Sequence, residues 1–327
     1  MVDLRTKFMG LDLKSPVIAG SSGLTSSLES IIDLEQKGAG AVVIKSLFEE
    51  EIMHEIQKTV EKDSTNQYSE AFDYISNYSR HHHIDEYLKL IKNSKRAVGI
   101  PVMASINCVS AEEWTSFASS IQQAGADALQ LNIFVLPSDT SHTGEQNEKV
   151  YFDILSEVLR RVTIPVSVKL SYYFSGLAKT AQKFAWTGAQ GIVLFNRFCS
   201  PDIDIAEQKV IPSHIFSSPS EIALPLRWVA MLSDHVQCDI VASTGVHDGE
   251  GLIKILLAGA KAAEVASTLY INGTGRISQM LNDLKLWMER NGYSSLPDFV
   301  GMMSHKKTGN PAAYERVQFM KHIAGIE

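Results

Sequence analysis

Residues 164–194 read IPVSVKLSYYFSGLAKTAQKFAWTGAQGIVL. Pro165 opens an apolar run, an amphipathic helical stretch follows, and Gly188 comes shortly before a second apolar run at 191–194. Proline is tolerated at the first position of a strand, where its missing N–H does least harm. Glycine just past a helix end adopts a positive φ without a Cβ clash. The stretch therefore predicts a strand, a helix and a second strand.

Both phrases recur along the chain at a nearly constant spacing. The Gly-Ala phrase occurs at Gly38, Gly125, Gly188 and Gly259, and the Pro-Val phrase at Pro16, Pro101 and Pro165. The proline-to-glycine distances are 22, 24 and 23 residues. A fourth opening, Gln237-Cys238-Asp239-Ile240-Val241, lacks the proline. The repeat predicts eight short strands that alternate with helices.

Strands that alternate with helices indicate βα units with right-handed crossovers, and hence a parallel sheet. The near-regular period favours closure into a (β/α)8 TIM barrel, an α/β fold that forms a single domain over residues 1–327. An open sheet of the flavodoxin or Rossmann kind is the alternative. However, no Gly-x-Gly-x-x-Gly follows the first strand, where a dinucleotide fold would place it.

The gap between the second and third strands breaks the rhythm. Residues from about 47 to 95 are rich in Glu, Tyr and His and have little apolar periodicity before Ile84. A connection of this length in a barrel is typical of a lid or binding loop. We therefore expect a lid-like insertion over the active face.

The composition indicates a soluble globular protein that acts on a small molecule. Of its residues 45% are apolar and 20% charged, with a net charge of −7 and no block of Lys or Arg. Such a chain lacks the electrostatic footprint of a nucleic-acid or membrane-surface binder. Its most apolar stretch, 253–271, is broken by charged residues and cannot cross a bilayer. Three cysteines without metal or redox spacing favour a reducing cytoplasm.

Chemistry in a closed barrel lies at the carboxyl ends of its strands. These ends read Ser21-Ser22-Gly23, Lys45-Ser46, Ser105-Ile106-Asn107, Asn132, Lys169, Asn196-Arg197, Ser243-Thr244-Gly245 and Ala266-Ser267-Thr268. An inward ammonium at Lys45 or Lys169 needs an anionic partner, because burying it unpaired costs several kcal/mol. A phosphate, a flavin with charge at N1 or a substrate carboxylate would serve. The alternative for either lysine is a side chain that snorkels to solvent.

Six motifs follow one another along the chain. They are Ala19-Gly20-Ser21-Ser22-Gly23, Val43-Ile44-Lys45-Ser46, Ala104-Ser105-Ile106, Leu131-Asn132, Val168-Lys169-Leu170-Ser171-Tyr172-Tyr173-Phe174 and Ser243-Thr244-Gly245-Val246. In order and spacing, from about Leu4 to Met303, they resemble the flavin-binding landmarks of class 1 dihydroorotate dehydrogenases. The resemblance implies an FMN-dependent oxidoreductase, a homodimer, that converts dihydroorotate to orotate in pyrimidine biosynthesis or acts on a related small acid or ring substrate.

The resemblance also implies the cofactor contacts. The implied FMN-binding residues are Ser21, Ser22, Gly23, Lys45, Ser46, Asn107, Asn132, Lys169, Ser220, Thr244, Gly245, Ala266 and Ser267. Ser22 and Gly23 would lie against the isoalloxazine, and Lys169 would lie near N1 and O2, where a cation favours the anionic reduced flavin. Ser220 and the residues after it in the list would surround the phosphate.

Substrate recognition in the family relies on asparagines and a hydroxyl that face the flavin. The candidates for catalysis are Lys45, Asn132, Asn196 and Arg197, and the further asparagine candidates are Asn77 and Asn107. Asn77 is equally well explained as a solvated loop residue. Arg197 could grip a carboxylate, stack on an aromatic ring, or pair with Asp202 or Asp204 of its own loop.

The chain departs from the family at its catalytic base. Family members carry Cys or Ser in the loop after the fourth strand, whereas here none of residues 133–137 can accept a proton, and Val135 or a neighbour occupies the matching position. The nearest alternatives are Ser138, Asp139, Ser141 and His142, with Cys199 as a displaced thiol. Two other hypotheses therefore stay open: an FMN-free phosphate-binding barrel with a Schiff-base Lys169, and a catalytically silent flavin-binding protein. Adjacent histidines at 81–83 point in different directions on a helix, so no metal site is predicted.

Overall fold

The computed structural model of the protein describes residues 2–48, 69–108, 111–198 and 200–315, without the side chains of 48, 69–82, 108 and 111–116. The central part of the predicted lid, 49–68, and Cys199 lie outside the described residues.

The strands form a closed parallel barrel. In chain order they are β1 (Thr6–Phe8), β2 (Leu11–Leu13), β3 (Val17–Ala19), β4 (Ala41–Val43), β5 (Leu47–Phe48), β6 (Val102–Cys108), β7 (Ala128–Ile133), β8 (Val166–Leu170), β9 (Gly191–Leu194), β10 (Pro201–Asp204), β11 (Lys209–Pro212), β12 (Asp239–Ser243) and β13 (Ala262–Val265). Eight of them pair in parallel in the cyclic order β3, β4, β6, β7, β8, β9, β12, β13, and β13 pairs with β3 to close the ring. The predicted (β/α)8 TIM barrel is confirmed.

Helices surround the barrel between successive strands. They are α1 (Leu28–Gln36), α2 (Ser69–Ala97), α3 (Ala111–Gln123), α4 (Gly144–Arg161), α5 (Leu177–Thr187), α6 (Ala223–Leu232), α7 (Gly249–Ala258), α8 (Ser267–Asn272), α9 (Arg276–Asn291) and α10 (Ala312–Glu315). Gly188 and Gly259 end α5 and α7 with φ of 115° and 116°, as the repeated phrase predicts. Within the described part of the chain, no helix combines the length and apolar character that a membrane span requires.

Helix α2 occupies the second half of the stretch predicted as an insertion. Its Tyr87 and Ile91 are buried in the core between the helices and the barrel. The Tyr87 hydroxyl accepts from the Ser105 amide at 2.8 Å and donates to the Ser105 carbonyl at 2.9 Å. It thereby satisfies the amide and carbonyl of Ser105, which lies between the part of β6 that pairs with β4 and the part that pairs with β5. The lid itself stays a prediction.

The amino-terminal hairpin closes the bottom of the barrel. β1 and β2 pair antiparallel, and Phe8, Met9 and Leu13 form a buried cluster with interior side chains such as Met103. A Cβ at Gly191 would lie 2.7 Å from the Phe8 ring, so a glycine is required where the amino-terminal hairpin, which plugs the barrel, packs against β9. The bottom of the barrel is thus a packed apolar core.

Candidate active site at the barrel mouth

Polar side chains line the barrel interior in two rows towards the carboxyl ends of β6, β7 and β8. The lower row is Ser105, Gln130 and Ser167, and the upper row is Asn107, Asn132 and Lys169; each row is in register across the three strands. Residues two apart on a strand share a face, and Met103 and Ala128, one step below, belong to the interior cluster at the plug. Both polar rows therefore face the barrel interior, and the upper row lies at its mouth.

Lys169 is held by a buried carboxylate. Its Nζ lies 2.6 Å from Oε1 of Glu264, whose Oε2 accepts from Gln130 Nε2 at 2.8 Å. The side chains of Lys169 and Glu264 are 12% and 2% exposed. The anionic partner expected for an inward lysine is thus supplied by the chain itself. Sequence reasoning missed Glu264 because it lies inside the short apolar run of β13.

Two of the predicted asparagines meet at the mouth. Asn196 Nδ2 donates to Asn132 Oδ1 at 2.6 Å, which links the ends of β7 and β9. Arg197 bonds to residues of its own loop. Its Nε donates to Glu221 Oε2 and its Nη1 donates to the Ile215 carbonyl, each at 2.9 Å. The acid that pairs with Arg197 is Glu221, not Asp202 or Asp204. Two of the five N–H donors of its guanidinium are thus engaged by protein groups.

A chain of hydroxyls crosses the first three barrel strands. The Ser46 hydroxyl lies 3.0 Å from that of Ser21 and 2.7 Å from that of Ser105, and the Ser46 amide donates to Ser21 Oγ at 2.8 Å. Lys45 precedes Ser46 and is half-buried. These bonds fix the backbone on which Lys45 and Ser46 enter the mouth.

The opposite side of the mouth is built from loops with tight backbone turns. Thr244 and Gly245 have φ of 78° and 81°, and a Cβ at Gly245 would lie 2.1 Å from the Ile222 amide nitrogen. The Ser217 amide donates to Ser267 Oγ at 3.0 Å, and the Ser217 hydroxyl lies 2.9 Å from His247 Nε2. The serine joined to the predicted phosphate loops is therefore Ser217.

Ser220 stands apart from that group. It is exposed, and its hydroxyl lies 2.8 Å from that of Ser218. Ala266 and Ser267 are half-buried at the start of α8, as the predicted site requires. The role of Ser220 at the phosphate stays a prediction, and Gly245 packs against Ile222, which lies in the same turn as Ser220.

The loop after β7 carries aromatic and exposed polar groups. Phe134 stacks on Phe198 with ring centroids 3.8 Å apart. The alternatives to the missing base lie on an exposed segment, where Asp139 accepts from Ser141 at 2.7 Å and lies 3.5 Å from His142. Bonding to Ser141 lowers the pKa of the Asp139 carboxyl, which makes it a weaker proton acceptor. The polar contacts of Asp139 in the described chain are made within this segment.

Two phenols stand beside these aromatic rings. The hydroxyls of Tyr172 and Tyr173 lie 3.3 Å apart, and the Tyr173 ring contacts Phe198 at 5.0 Å between centroids. The hydrogen bond to Tyr173, together with burial, raises the pKa of Tyr172. Tyr172 therefore holds its proton more tightly than a free phenol does, which makes it a weaker acid.

Several features of the mouth fit a flat, phosphorylated cofactor. The Ser22 hydroxyl and Asn107 Oδ1 are buried, and neither has a hydrogen-bond partner among the residues that the structure describes. A Cβ at Gly20 would lie 2.9 Å from Glu264 Cγ, and one at Gly23 would lie 2.7 Å from the Tyr270 hydroxyl. Unused polar atoms and close-packed glycines are what a bound ring system needs around it. The residues present therefore fit FMN.

Metal chemistry finds no support in the described regions. There, no group of three or more His, Cys, Asp or Glu side chains is placed to hold an ion. His81 and His82 lie on α2 with side chains outside the described set, and the same is true of Asn77.

Comparison with known proteins points to one family. The family profile described as dihydroorotate dehydrogenase matches residues 3–288. The catalytic subunit of dihydroorotate dehydrogenase B (NAD(+)) from Thermoplasma acidophilum is 26% identical over 92% of this chain and 99% of that protein. The protein of the same name from Methanothermobacter thermautotrophicus is 26% identical over 91% and 98%. A putative dihydroorotate dehydrogenase A (fumarate) from Aeropyrum pernix is 28% identical over 66% and 72%.

Proposed function

This chain belongs to the dihydroorotate dehydrogenase family of oxidoreductases, as its motifs predict, and from that premise we propose that it transfers a hydride between FMN and a small ring substrate. The row formed by Asn107, Asn132 and Lys169, with Asn196 bonded to Asn132, carries the proposal. It presents amide donors, amide acceptors and an ammonium at one mouth. Such a set suits a planar heterocycle and an amide-bearing substrate stacked on it.

FMN supplies N5, the atom that accepts or donates the hydride. Ser22 and Gly23 would lie against its ring system, and Lys169 would bind the pyrimidine end. Gly245, Ser217 and Ser267 hold the phosphate, through backbone amides that no side chain obstructs at Gly245. The support for this assignment is the match between these groups and the positions that the family motifs imply.

The substrate is recognised through its amide groups. Asn132 and Asn196 each bring one donor group and one acceptor to the mouth. Arg197 pairs with Glu221, which offsets the charge that its guanidinium would present to a substrate carboxylate. We therefore expect the ring amides to contribute more to binding than the carboxylate does. Dihydroorotate and dihydrouracil, the same ring without a carboxylate, are the pair that separates the two contributions.

The proton is handled by the tyrosine pair rather than by the loop after β7. That loop offers no acceptor at 133–137. The Tyr172 hydroxyl lies 3.3 Å from that of Tyr173, and its ring lies 6.1 Å from that of Phe195, the residue before Asn196. A phenol can donate the proton when the hydride and a proton add to adjacent carbons of a C=C bond, and its phenolate accepts the proton in the reverse direction. Replacement of Tyr172 by Phe is expected to lower turnover in the reductive direction by at least tenfold. Unchanged turnover would remove Tyr172 from the reaction.

Lysine chemistry of the Schiff-base kind does not suit this site. A Schiff-base lysine must have its amine free to attack a carbonyl, but Lys169 Nζ is engaged by Glu264 Oε1 at 2.6 Å. Borohydride trapping with carbonyl substrates is expected to leave the protein unmodified.

Anaerobic addition of dihydroorotate to the purified, FMN-loaded protein tests the proposal. Flavin absorbance should bleach, and orotate should form. Asn132→Ala should lower kcat/KM by about 10- to 100-fold, since each lost buried hydrogen bond costs about 1–3 kcal/mol. Ser141→Ala, on the exposed loop, is the matched control. Colourless protein that takes up no FMN would contradict the proposal. Yellow protein that reacts with neither dihydroorotate nor dihydrouracil would indicate a silent flavin-binding protein.

The names of the relatives give two electron acceptors, NAD(+) and fumarate. Both belong in the turnover assay, because the described residues do not distinguish them. The homodimer and the cytoplasmic location stay predictions.

A further inference from the structure

Glu264 is a buried carboxylate with both oxygens in use. Oε1 lies 2.6 Å from Lys169 Nζ, and Oε2 accepts from Gln130 Nε2 at 2.8 Å. Its side chain is 2% exposed, and Lys169 is 95 residues away in the chain. A buried ion pair of this kind is costly to assemble and is weak support for stability alone. Its place beside the upper polar row calls for another explanation.

The fold makes room for this carboxylate at a particular point. Gly20 follows β3, and its amide donates to the Val265 carbonyl at 2.8 Å, which draws the end of β3 against β13. A Cβ at Gly20 would lie 2.9 Å from Glu264 Cγ and 3.1 Å from Oε1. Any larger residue there would displace the carboxylate from Lys169. The glycine therefore serves the ion pair as well as the space for a ring.

The charge of Lys169 acts on whatever anion forms next to it. An ammonium beside a flavin stabilises the negative charge of the reduced ring and makes reduction easier. Glu264, on the other side of the same ammonium, offsets that charge at short range. With the carboxylate in place, the mouth stabilises negative charge less than a lone lysine would.

We propose that Glu264 is a positioning residue that fixes the Lys169 ammonium at the barrel mouth and offsets its charge, so that the bound flavin is kept a strong hydride donor. This proposal rests on the proposed FMN-dependent function. It assigns to β13 a role in setting the reactivity of the cofactor.

The test is the midpoint potential of the FMN-loaded protein and its affinity for sulfite, with wild type beside Glu264→Gln. Glutamine keeps the shape and removes the charge. We expect sulfite to bind at least tenfold more tightly to the variant and the potential to rise by about 30 mV, the equivalent of tenfold for a two-electron couple. Asp239→Asn, at the bottom of the barrel, is the matched control and should change neither value. Glu264→Asp, which keeps the charge, should stay within threefold of wild type.

Unchanged potential and sulfite affinity in an FMN-loaded Glu264→Gln protein would overturn the proposal. The apoprotein gives a second readout that does not depend on the flavin. Glu264→Gln leaves Lys169 unpaired and should lower the Tm, and adding Lys169→Met should restore most of it. If Glu264→Gln alone does not fold, we expect the double variant with Lys169→Met to fold. Failure of both variants to fold would contradict the pairing of Glu264 with Lys169. Wild-type protein that binds no FMN would contradict the proposed function. The Tm values of wild type, Glu264→Gln and the double variant would still test the ion pair between Glu264 and Lys169.

Discussion

At its amino-terminal end the barrel is filled by Phe8 and Met9 from the plugging hairpin, whereas at its carboxyl-terminal end the same strands present Asn107, Asn132 and Lys169. The bottom is apolar and fully packed. The mouth holds buried polar atoms, among them Asn107 Oδ1, for which the described chain supplies no partner. Moving four residues along a strand, from Met103 to Asn107 or from Ala128 to Asn132, therefore exchanges stabilising packing for groups poised to bind a ligand. Substitutions at the two ends should separate stability from function.

Lys169→Met should have the largest effect, because it harms both properties. It leaves the Glu264 carboxylate buried without its cation, which costs about 3–5 kcal/mol of unfolding free energy. FMN retention and turnover should fall with it. Denaturant unfolding of the variant, compared with the Lys169→Met and Glu264→Gln double variant, checks this. Equal stability of the single and double variants would show that the pair does not couple.

Phe8→Ala should cost a similar free energy of unfolding, about 3–5 kcal/mol, through the cavity that it leaves at the plug. FMN affinity should stay within a factor of two, since the bottom makes no contribution to the mouth. Denaturant unfolding and FMN titration of the same preparation measure both quantities. A large loss of FMN affinity in this variant would break the division between the two ends.

Gly245→Ala should weaken FMN binding at least tenfold with a moderate loss of stability. The residue has φ of 81°, and its new Cβ would meet the Ile222 amide at 2.1 Å, so the predicted phosphate loop must move. Gly292→Ala is the matched control, because Gly292 has φ of 74° and open space around it. The control should lose about 1–2 kcal/mol of stability from the left-handed backbone alone and retain FMN. Equal FMN affinity of the two variants would argue against a phosphate site at Gly245.

The smallest expected effect is a pH dependence from His247. Burial lowers the pKa of this imidazole, an effect that Arg276 reinforces and that Asp248 and Glu221 oppose. The unfolded chain takes up a proton near its ordinary pKa of about 6.5, while the folded chain does so only at lower pH. Stability is thus fully present above about pH 6.5 and decreases as the pH falls below it. His247→Gln should flatten the decrease in denaturant unfolding, and an unchanged pH profile would exclude His247 as its source.

Much of the barrel could be predicted from local signals. Pro16, Pro101 and Pro165 directly precede β3, β6 and β8, and Gly188 and Gly259 end helices in the left-handed conformation. These residues act through their own backbone, so their meaning does not depend on distant partners. The plugging hairpin was not predicted, because its strands of three residues are too short to show an alternation of apolar and polar residues.

The candidate site was predictable only where a residue lies at a strand end. Asn132, Lys169 and Asn196 were found in this way. Glu264 was missed because its partners are 95 and 134 residues away in the chain, and nothing local marks a buried carboxylate. Of the alternatives for Arg197, pairing with an acid of its own loop is the one that the structure shows. That acid is Glu221, 24 residues away and beyond the β10–β11 hairpin, rather than Asp202 or Asp204.

Titration of FMN into the apoprotein, followed by flavin fluorescence, tests the central claim most directly. The account predicts saturable binding of about one FMN per chain, weakened by Lys169→Met and unaffected by Phe8→Ala. Absence of saturable binding, or equal weakening by the two variants, would contradict the assignment of the cofactor to the polar end of the barrel.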